Sequence, residues 1–366
     1  MKKARSASFS RRAVLGGMAA AAAATGMPRR VVAQGSRSLK LALPWVAEGS
    51  SLFTFVAKAR GLWAKHGLNV EVLKGSGSVA AAQSVATGQF DFGLASPTAG
   101  YLQALKGLPL VCIGVCSYDA MQGIGVRDDS AIKTPQDLEG KKMGSVVTSG
   151  EYPFLPLFAE RAKFNLEKVD RQQIDVQIRD RLLADKSVDA ISAFGTSVVP
   201  GLKAKGIDTR WMLYSKYGMP NYGNTLMTRQ EIIAKDPALC EAVVEGCMES
   251  IKFCLLNPTE AMDIFFKEVP EMAMTATGRD QIKIGLGLIS ATVLHDVAKE
   301  QGLGVADPAE MKTMAELTQK YVIKSEAALP AMETLYTNQF VGKVKLTPGE
   351  WQSAVAAVKD YSKYLA

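Results

Sequence analysis

From Ser38 onward, short apolar runs alternate with segments of helical period, and this alternation limits the folds open to the chain more than any other feature. "LKLALPWV" reads as a strand, "SSLFTFVAKARGLWAKHG" as a helix and "LNVEVLKGS" as the next strand. A helix over Val79–Thr87, the strand "FDFGLAS", the helix "TAGYLQALKG" and the strand "LPLVCIGVCSY" follow. Strands separated by single helices build βαβ units and a mostly parallel sheet with helices on both faces. After "DDSAIKTPQDLEG" a second series begins, with strands "KKMGSVV", "QQIDVQI" and "VDAISAF" and helices "EYPFLPLFAERAKF" and "RDRLLADKS". The series echo each other: Asp91 and Asp189 each follow a helix and stand at a strand entrance. Past "GMPNYGNTLMTRQ" the spacing turns helical, over Gln230–Asn257, Pro258–Lys267, Gly278–Gln301, Pro308–Ile323 and Thr347–Leu365.

The expected fold is therefore α/β and two-lobed, with a helical C-terminal region. Lobe 1 is expected over 38–126 plus 224–366 and lobe 2 over 127–223, with the C-terminal helices mainly on lobe 1. The two crossings near Val126 and Asn224 would form a hinge beside a cleft. About 333 residues beyond the leader is more than one core usually serves, which also favours two lobes.

The first 33 residues read as an export signal, not as part of the fold. Lys2, Lys3, Arg5, Arg11 and Arg12 precede an Ala-rich apolar run from Ala13 to about Thr25, and Val31 and Ala33 suit cleavage after Ala33. The run is shorter than the roughly 20 residues needed to span a bilayer. The pair in "SRRAVLGG" resembles a twin-arginine signal, which implies a periplasmic protein exported already folded. The seven Lys/Arg of residues 1–33 account for the whole net charge of +7. The remaining chain is balanced, so nothing in its charge argues for nucleic acid.

Five cysteines in an oxidising compartment call for a disulfide count. Cys240, Cys247 and Cys254 recur every seven residues, so helical neighbours stand about 10 Å apart. Cys112 and Cys116 share a strand face about 13 Å apart. Neither spacing closes a bridge or builds a metal site, and all five are expected to be buried free thiols.

In an open parallel sheet, ligands sit beyond the carboxyl ends of the strands. Here those ends carry hydroxyls and aromatics: Trp45, Ser76 and Ser78, Ser96 and Thr98, then Ser117 and Tyr118. The second series supplies Thr148, Ser149, Glu151 and Tyr152, then Phe194, Thr196 and Ser197. Such a set suits a small, flat, polar-edged molecule. The candidate ligand-binding residues are Trp45, Ser76, Ser78, Ser96, Thr98, Tyr118, Ser149, Glu151, Tyr152 and Phe194. Each serine or threonine also has an ordinary use as a helix N-cap, and Glu151 as a first-turn carboxylate. "GSGS" before a helix could offer N–H groups to an anion, but Ala80 replaces the third glycine of a dinucleotide fingerprint and no Walker lysine follows. No Arg or Lys falls at a predicted strand end, which argues against a fully ionised sulfonate or nitrate.

No catalytic grouping emerges. His66 in "AKHGL" and His295 in "VLHDVAKEQ" lie away from the strand ends and read as surface or capping residues. No Ser-His-Asp set, HExxH or Cys/His cluster is present, so neither metal nor cofactor is expected.

"GLWAKHGLNVEVLKGSGSVAAAQSVATGQFDFGLASP" and "IKTPQDLEGKKMGS" resemble the periplasmic solute-binding proteins of ABC importers for nitrate, taurine, sulfonates and thiamine-pyrimidine precursors. "LALPWVAEGSSLFTFVAKARG" and "LYTNQFV" are most similar to the thiamine-pyrimidine branch. The resemblance implies a type II-like periplasmic-binding-protein fold, a monomer that captures a small organic solute, and delivery to a membrane permease. It also implies that Trp45 stacks on a flat ligand. The branch's usual Asp before that Trp is Pro44 here, and "VAEGSS" replaces its polar segment. Two alternatives stand beside this reading: a thiamine-pyrimidine synthase, which the same resemblance would link to pyridoxal phosphate and a sacrificial histidine, and a ligand-binding subunit of a sensor.

Overall fold

The computed structural model describes residues 36–361 and Tyr364, so the export-signal reading of residues 1–33 lies outside the described residues. In chain order, β1 (Arg37–Ala42), α1 (Leu52–Ala59), β2 (Leu68–Leu73), α2 (Ser78–Ala86), β3 (Phe92–Ala95), α3 (Pro97–Ala104) and β4 (Leu110–Val115) form the first series. The second comprises β5 (Gln122–Arg127), β6 (Lys142–Ser145), α4 (Leu155–Ala162), β7 (Asp170–Gln173), α5 (Arg179–Ala184), β8 (Ala190–Phe194), α6 (Gly195–Lys203) and β9 (Thr209–Leu213). The chain then returns through β10 (Thr225–Arg229) into α7 (Gln230–Lys235), α8 (Pro237–Leu256), α9 (Pro258–Glu268) and α10 (Ala276–Val293). It finishes with α11 (Asp296–Gln301), α12 (Pro308–Leu317) and α13 (Pro348–Ala357). No helix among the described residues is long and apolar enough to cross a membrane.

The strands form two five-stranded sheets, ordered β2-β1-β3-β10-β4 and β7-β6-β8-β5-β9. In each, one strand runs against the other four: β10 lies antiparallel between β3 and β4, and β5 between β8 and β9. The halves thus share one topology, with β6, β7, β8, β5 and β9 in the places of β1, β2, β3, β10 and β4. The echo in the sequence has a shared physical cause. Asp91 accepts the Lys40 N–H at 2.8 Å, and Asp189 accepts the Lys142 N–H at 2.9 Å. The carboxylate thus pins the incoming β3 to β1 in one half and β8 to β6 in the other.

Three strands have no counterpart in the sequence pattern: β5, β9 and β10. In β5, "QGIGVR", glycines stand where side chains would show alternation; a Cβ on Gly125 would lie 2.7 Å from the Trp211 ring. Val126, expected at a crossing, is inside β5 and paired with Ala190 and Arg210. The connections between sheets run instead through residues 116–121 and 214–224. They are bound to each other, with Gly223 N–H donating to Ser117 O at 3.0 Å and Cys116 N–H to Asn224 O at 2.8 Å. The strand expected over "QQIDVQI" ends early, at Gln173.

The larger core packs the first sheet against α1, α2, α3 and α8, with α9 outside them on α1 and α8. Trp63 is buried at its centre and donates from Nε1 to Val243 O at 3.1 Å. The five cysteines are free and buried, as their spacing requires. The outer edge of β4 is covered by the late segment around Tyr336: Cys112 N–H donates to Leu335 O, and Thr337 N–H to Cys112 O, both at 2.9 Å. That pairing hides an apolar edge open to association. α10 departs from the expected placement of the late helices, because it packs on α6 beside the second sheet as well as on the turn at Gly49–Ser51.

Candidate functional site

The carboxyl ends of strands from both sheets converge on one narrow cavity. β1 is followed there by Trp45, Glu48 and Ser50, and β2 by Ser78 at the start of α2. Ser117 and Asn224 reach it from the paired connections. From the second half come Ser149 beyond β6, Arg179 at the start of α5, and Phe194, Thr196 and Ser197 at the junction of β8 and α6. Ile289 of α10 closes one wall. The cavity measures about 30 Å³, room for about two waters, so its walls stand close together.

The two halves touch through this site. Ser197 Oγ donates to Glu48 Oε2 at 3.0 Å, while Ser50 Oγ donates to Oε1 at 2.8 Å. Glu48 is buried, and removal from water raises its carboxyl from 4.5 to about 7, against the lowering effect of the Ser50 and Ser197 hydroxyls and of the Arg179 charge. The Arg179 guanidinium carbon lies 4.6 Å from the Trp45 ring centre, a cation–π stack across the cavity. Its Nε donates to Asp180 Oδ1 at 2.7 Å. At the rim, the Val79 N–H donates to Thr148 O at 3.0 Å, and Thr148 Oγ1 donates to Ser76 O.

Those rim contacts explain "GSGS". A Cβ on Gly77, whose φ is +133°, would lie 2.1 Å from Thr148 O, so only glycine allows the second half this close. Gly77 N–H donates to Pro44 O and Val79 N–H to Thr148 O, so these two N–H groups of the loop are engaged within the protein, the second of them joining the halves.

Of the residues singled out from sequence, the structure brings Trp45, Ser78, Ser149 and Phe194 together at the cavity. Ser96 lies one layer behind, its N–H donating to Ser78 Oγ at 3.2 Å. Thr98 faces a separate small pocket and accepts from Asn221 Nδ2 at 3.2 Å. Glu151 is buried beneath Ser149, taking hydrogen bonds from Ser149 Oγ and from Ser192 Oγ at 3.3 Å, and burial raises its carboxyl above the usual range. Ser76 is exposed and Tyr152 half-buried, and neither reaches the cavity. Tyr118 points away from it, donating to Val305 O at 2.8 Å and stacking on His295 with 4.9 Å between ring centres. His295 caps α11, and His66 is exposed beside Glu245. A roomier cavity of about 280 Å³ lies by Tyr118, Asn221 and His295, and Ser215, just beyond β9, is what the second sheet's strand ends contribute to it among the described residues.

Glu48 and Arg179 escape the sequence reading. Glu48 sits within "VAEGSS", three residues past the last position where a strand end is expected. Arg179 corrects the expectation that no cation reaches a strand end. Because β7 stops at Gln173, residues 174–178 turn back and deliver Arg179 to the cavity at the first position of α5.

Two mirrored mixed sheets, with one cavity at the carboxyl ends of both, define a class of architecture, and comparison with known proteins agrees. A protein of Bordetella bronchiseptica RB50 superposes with a TM-score of 0.64 at 19% identity, covering 89% of this chain and 98% of the other. The periplasmic aliphatic sulphonate binding protein SsuA of Escherichia coli gives 0.55 at 16% identity, covering 68% and 83%. The fold is a periplasmic-binding-protein fold. The family model described as NMT1/THI5 like matches residues 49–261, more than half of the chain, and the chain belongs to that family. It is also 20% identical over 235 residues to a formylaminopyrimidine-binding protein of Halalkalibacterium halodurans, covering 64% of this chain and 71% of that one.

Proposed function

We propose that the chain is the solute-binding component of an ABC-type importer, exported to the periplasm, where it captures a small flat organic solute, pyrimidine-like in shape, and hands it to a membrane permease. The observation that carries this reading is the cavity at the carboxyl ends of both sheets, with Trp45 and Phe194 as aromatic walls and hydroxyls from both halves around them. The similarity to a formylaminopyrimidine-binding protein supports a flat heterocycle, and the periplasmic sulphonate-binding neighbour supports solute capture in the periplasm. In this reading residues 38–120 and 224–366 form one lobe and 121–223 the other, and the paired connections are the hinge. Opening would part the Glu48–Ser197 and Thr148–Ser76 contacts, and closure on the solute would exclude water and strengthen each hydrogen bond inside. No histidine or cysteine lines the cavity, which favours capture over catalysis. Micromolar affinity needs about 8 kcal/mol net, within reach of one stacked ring and a few hydrogen bonds.

The test is thermal unfolding against aminopyrimidines, flavins, aromatic acids, sulfonates and nitrate. A solute at 100 times its dissociation constant adds about 2.7 kcal/mol and raises the midpoint by a few degrees. A stabilising solute whose effect vanishes in Trp45→Ala is the expected result. A panel without any stabilising member contradicts the proposal.

A further inference from the structure

Arg179 carries a positive charge at the cavity, and the protein around it meets only part of its hydrogen-bonding capacity. It is 2% exposed, and Asp180 is its only ion-pair partner among the described residues. Of its donors, Nε is taken by Asp180, and Nη2 reaches Ser197 Oγ only at 3.5 Å. Nη1 donates to nothing among the described residues and is not among the fully buried unpartnered atoms, so of the five N–H groups of the guanidinium those on Nη1 stay open to a further acceptor. Glu48 does not fill the gap: its oxygens accept from Ser50 and Ser197, and Arg179 pairs with Asp180 instead. The Nη edge therefore meets the cavity with donors to spare, while the flat face of the same group lies on Trp45.

We propose that Arg179 reads the charge of the solute, and that the solute is a flat organic monoacid whose carboxylate accepts the Nη hydrogen bonds while its ring takes the face of Trp45 that Arg179 now covers. The inference rests on the reading of this cavity as the solute site. The planar fork of a guanidinium matches a carboxylate bidentately, which a lysine could not do. With about 30 Å³ free, a ring cannot enter beside Arg179, so ring and guanidinium compete for Trp45 and the acid group draws Arg179 aside as the ring lands. A single negative charge is favoured because Glu48 and Asp180 already stand near Arg179 and Glu151 lies just behind Ser149. The hydroxyls of Ser149, Thr196 and Ser197 add donors without adding charge.

The experiment is calorimetric titration of the purified protein with benzoate and nicotinate, and with their neutral isosteres benzamide and nicotinamide. Each acid should bind at least about tenfold more tightly than its amide, the effect of a hydrogen bond to a charged partner. Arg179→Gln should bring acid and amide to within about threefold, and Arg179→Lys, which keeps the charge but loses the fork, should fall between. The unfolding midpoints of both variants, measured without solute, separate a binding defect from misfolding, and the acid–amide comparison in the unsubstituted protein needs no variant. Amides or aminopyrimidines that bind as tightly as the acids, in a manner dependent on Trp45, would overturn the acid reading and leave solute binding standing. An acid preference that survives in Arg179→Gln would also overturn it. If neither acids nor neutral rings bind, both readings fall.

Discussion

Replacing Glu48 by glutamine should stabilise the protein at alkaline pH and do little in acid. The carboxyl is buried between the halves, and its ionisation rises from 4.5 in a free chain to about 7 in the fold. The folded state thus holds the proton more tightly than the unfolded one, so stability is fullest below pH 4.5 and falls as pH climbs towards 7. At about 1.36 kcal/mol per pH unit, the loss is about 1.4 kcal/mol at pH 5.5 and levels off near 3 kcal/mol at pH 8. The substituted amide would keep the hydrogen bonds to Ser50 and Ser197 without any charge to desolvate. Burial raises other carboxyls too, Asp119 and Glu151 among them, so the useful quantity is the difference between variant and parent. Urea unfolding at pH 5.5 and 8 should show Glu48→Gln gaining about 2 kcal/mol on the parent between the two. Parallel pH profiles for the two proteins would show that Glu48 is already ionised and solvated in the fold, and the reasoning from burial would be wrong.

Other perturbations follow from the same contacts. Gly246→Ala should cost about 1–3 kcal/mol in urea unfolding, although Gly→Ala inside a helix ordinarily gains about 1; a Cβ there would lie 2.3 Å from Trp63 Cδ1, and a stabilised variant would refute the packing. Burial pushes the thiols of Cys112, Cys116 and Cys254 up to about 12, so a thiol reagent at pH 8 should label the native protein slowly and all five cysteines promptly in denaturant. Fast native labelling would place a cysteine at the surface. Asp189→Ala should lose about 1 kcal/mol through the unpaired Lys142 N–H, with Asp91→Ala matching it in the other half; unequal losses in thermal unfolding would break the proposed equivalence.

Much of the architecture was legible because its signals are local. Alternating strands and helices, the repeated Asp at a strand entrance and the cysteine spacing all rest on neighbours within a few positions, and Asp91 and Asp189 hold equivalent places in the two sheets. β5, β9 and β10 were not legible, because their partners come from distant parts of the chain and the glycines of β5 leave no alternation to see. The site divides the same way. Trp45, Ser78, Ser149 and Phe194 stand directly beyond expected strands, whereas Tyr118 is turned towards Val305 and His295, which approach only in the folded molecule. Arg179 directly follows the expected strand "QQIDVQI" and was therefore open to view, but it reads equally as the first residue of the charged helix "RDRLLADKS", with nothing local to show that it is buried.

The most direct test of the account is calorimetric titration of the protein and of Trp45→Ala with the strongest stabilising solute from the thermal panel. One site per chain is expected, with affinity reduced at least tenfold in the variant while its unfolding midpoint stays close to that of the parent. Unchanged affinity in Trp45→Ala would place the solute elsewhere and contradict the assignment of this cavity.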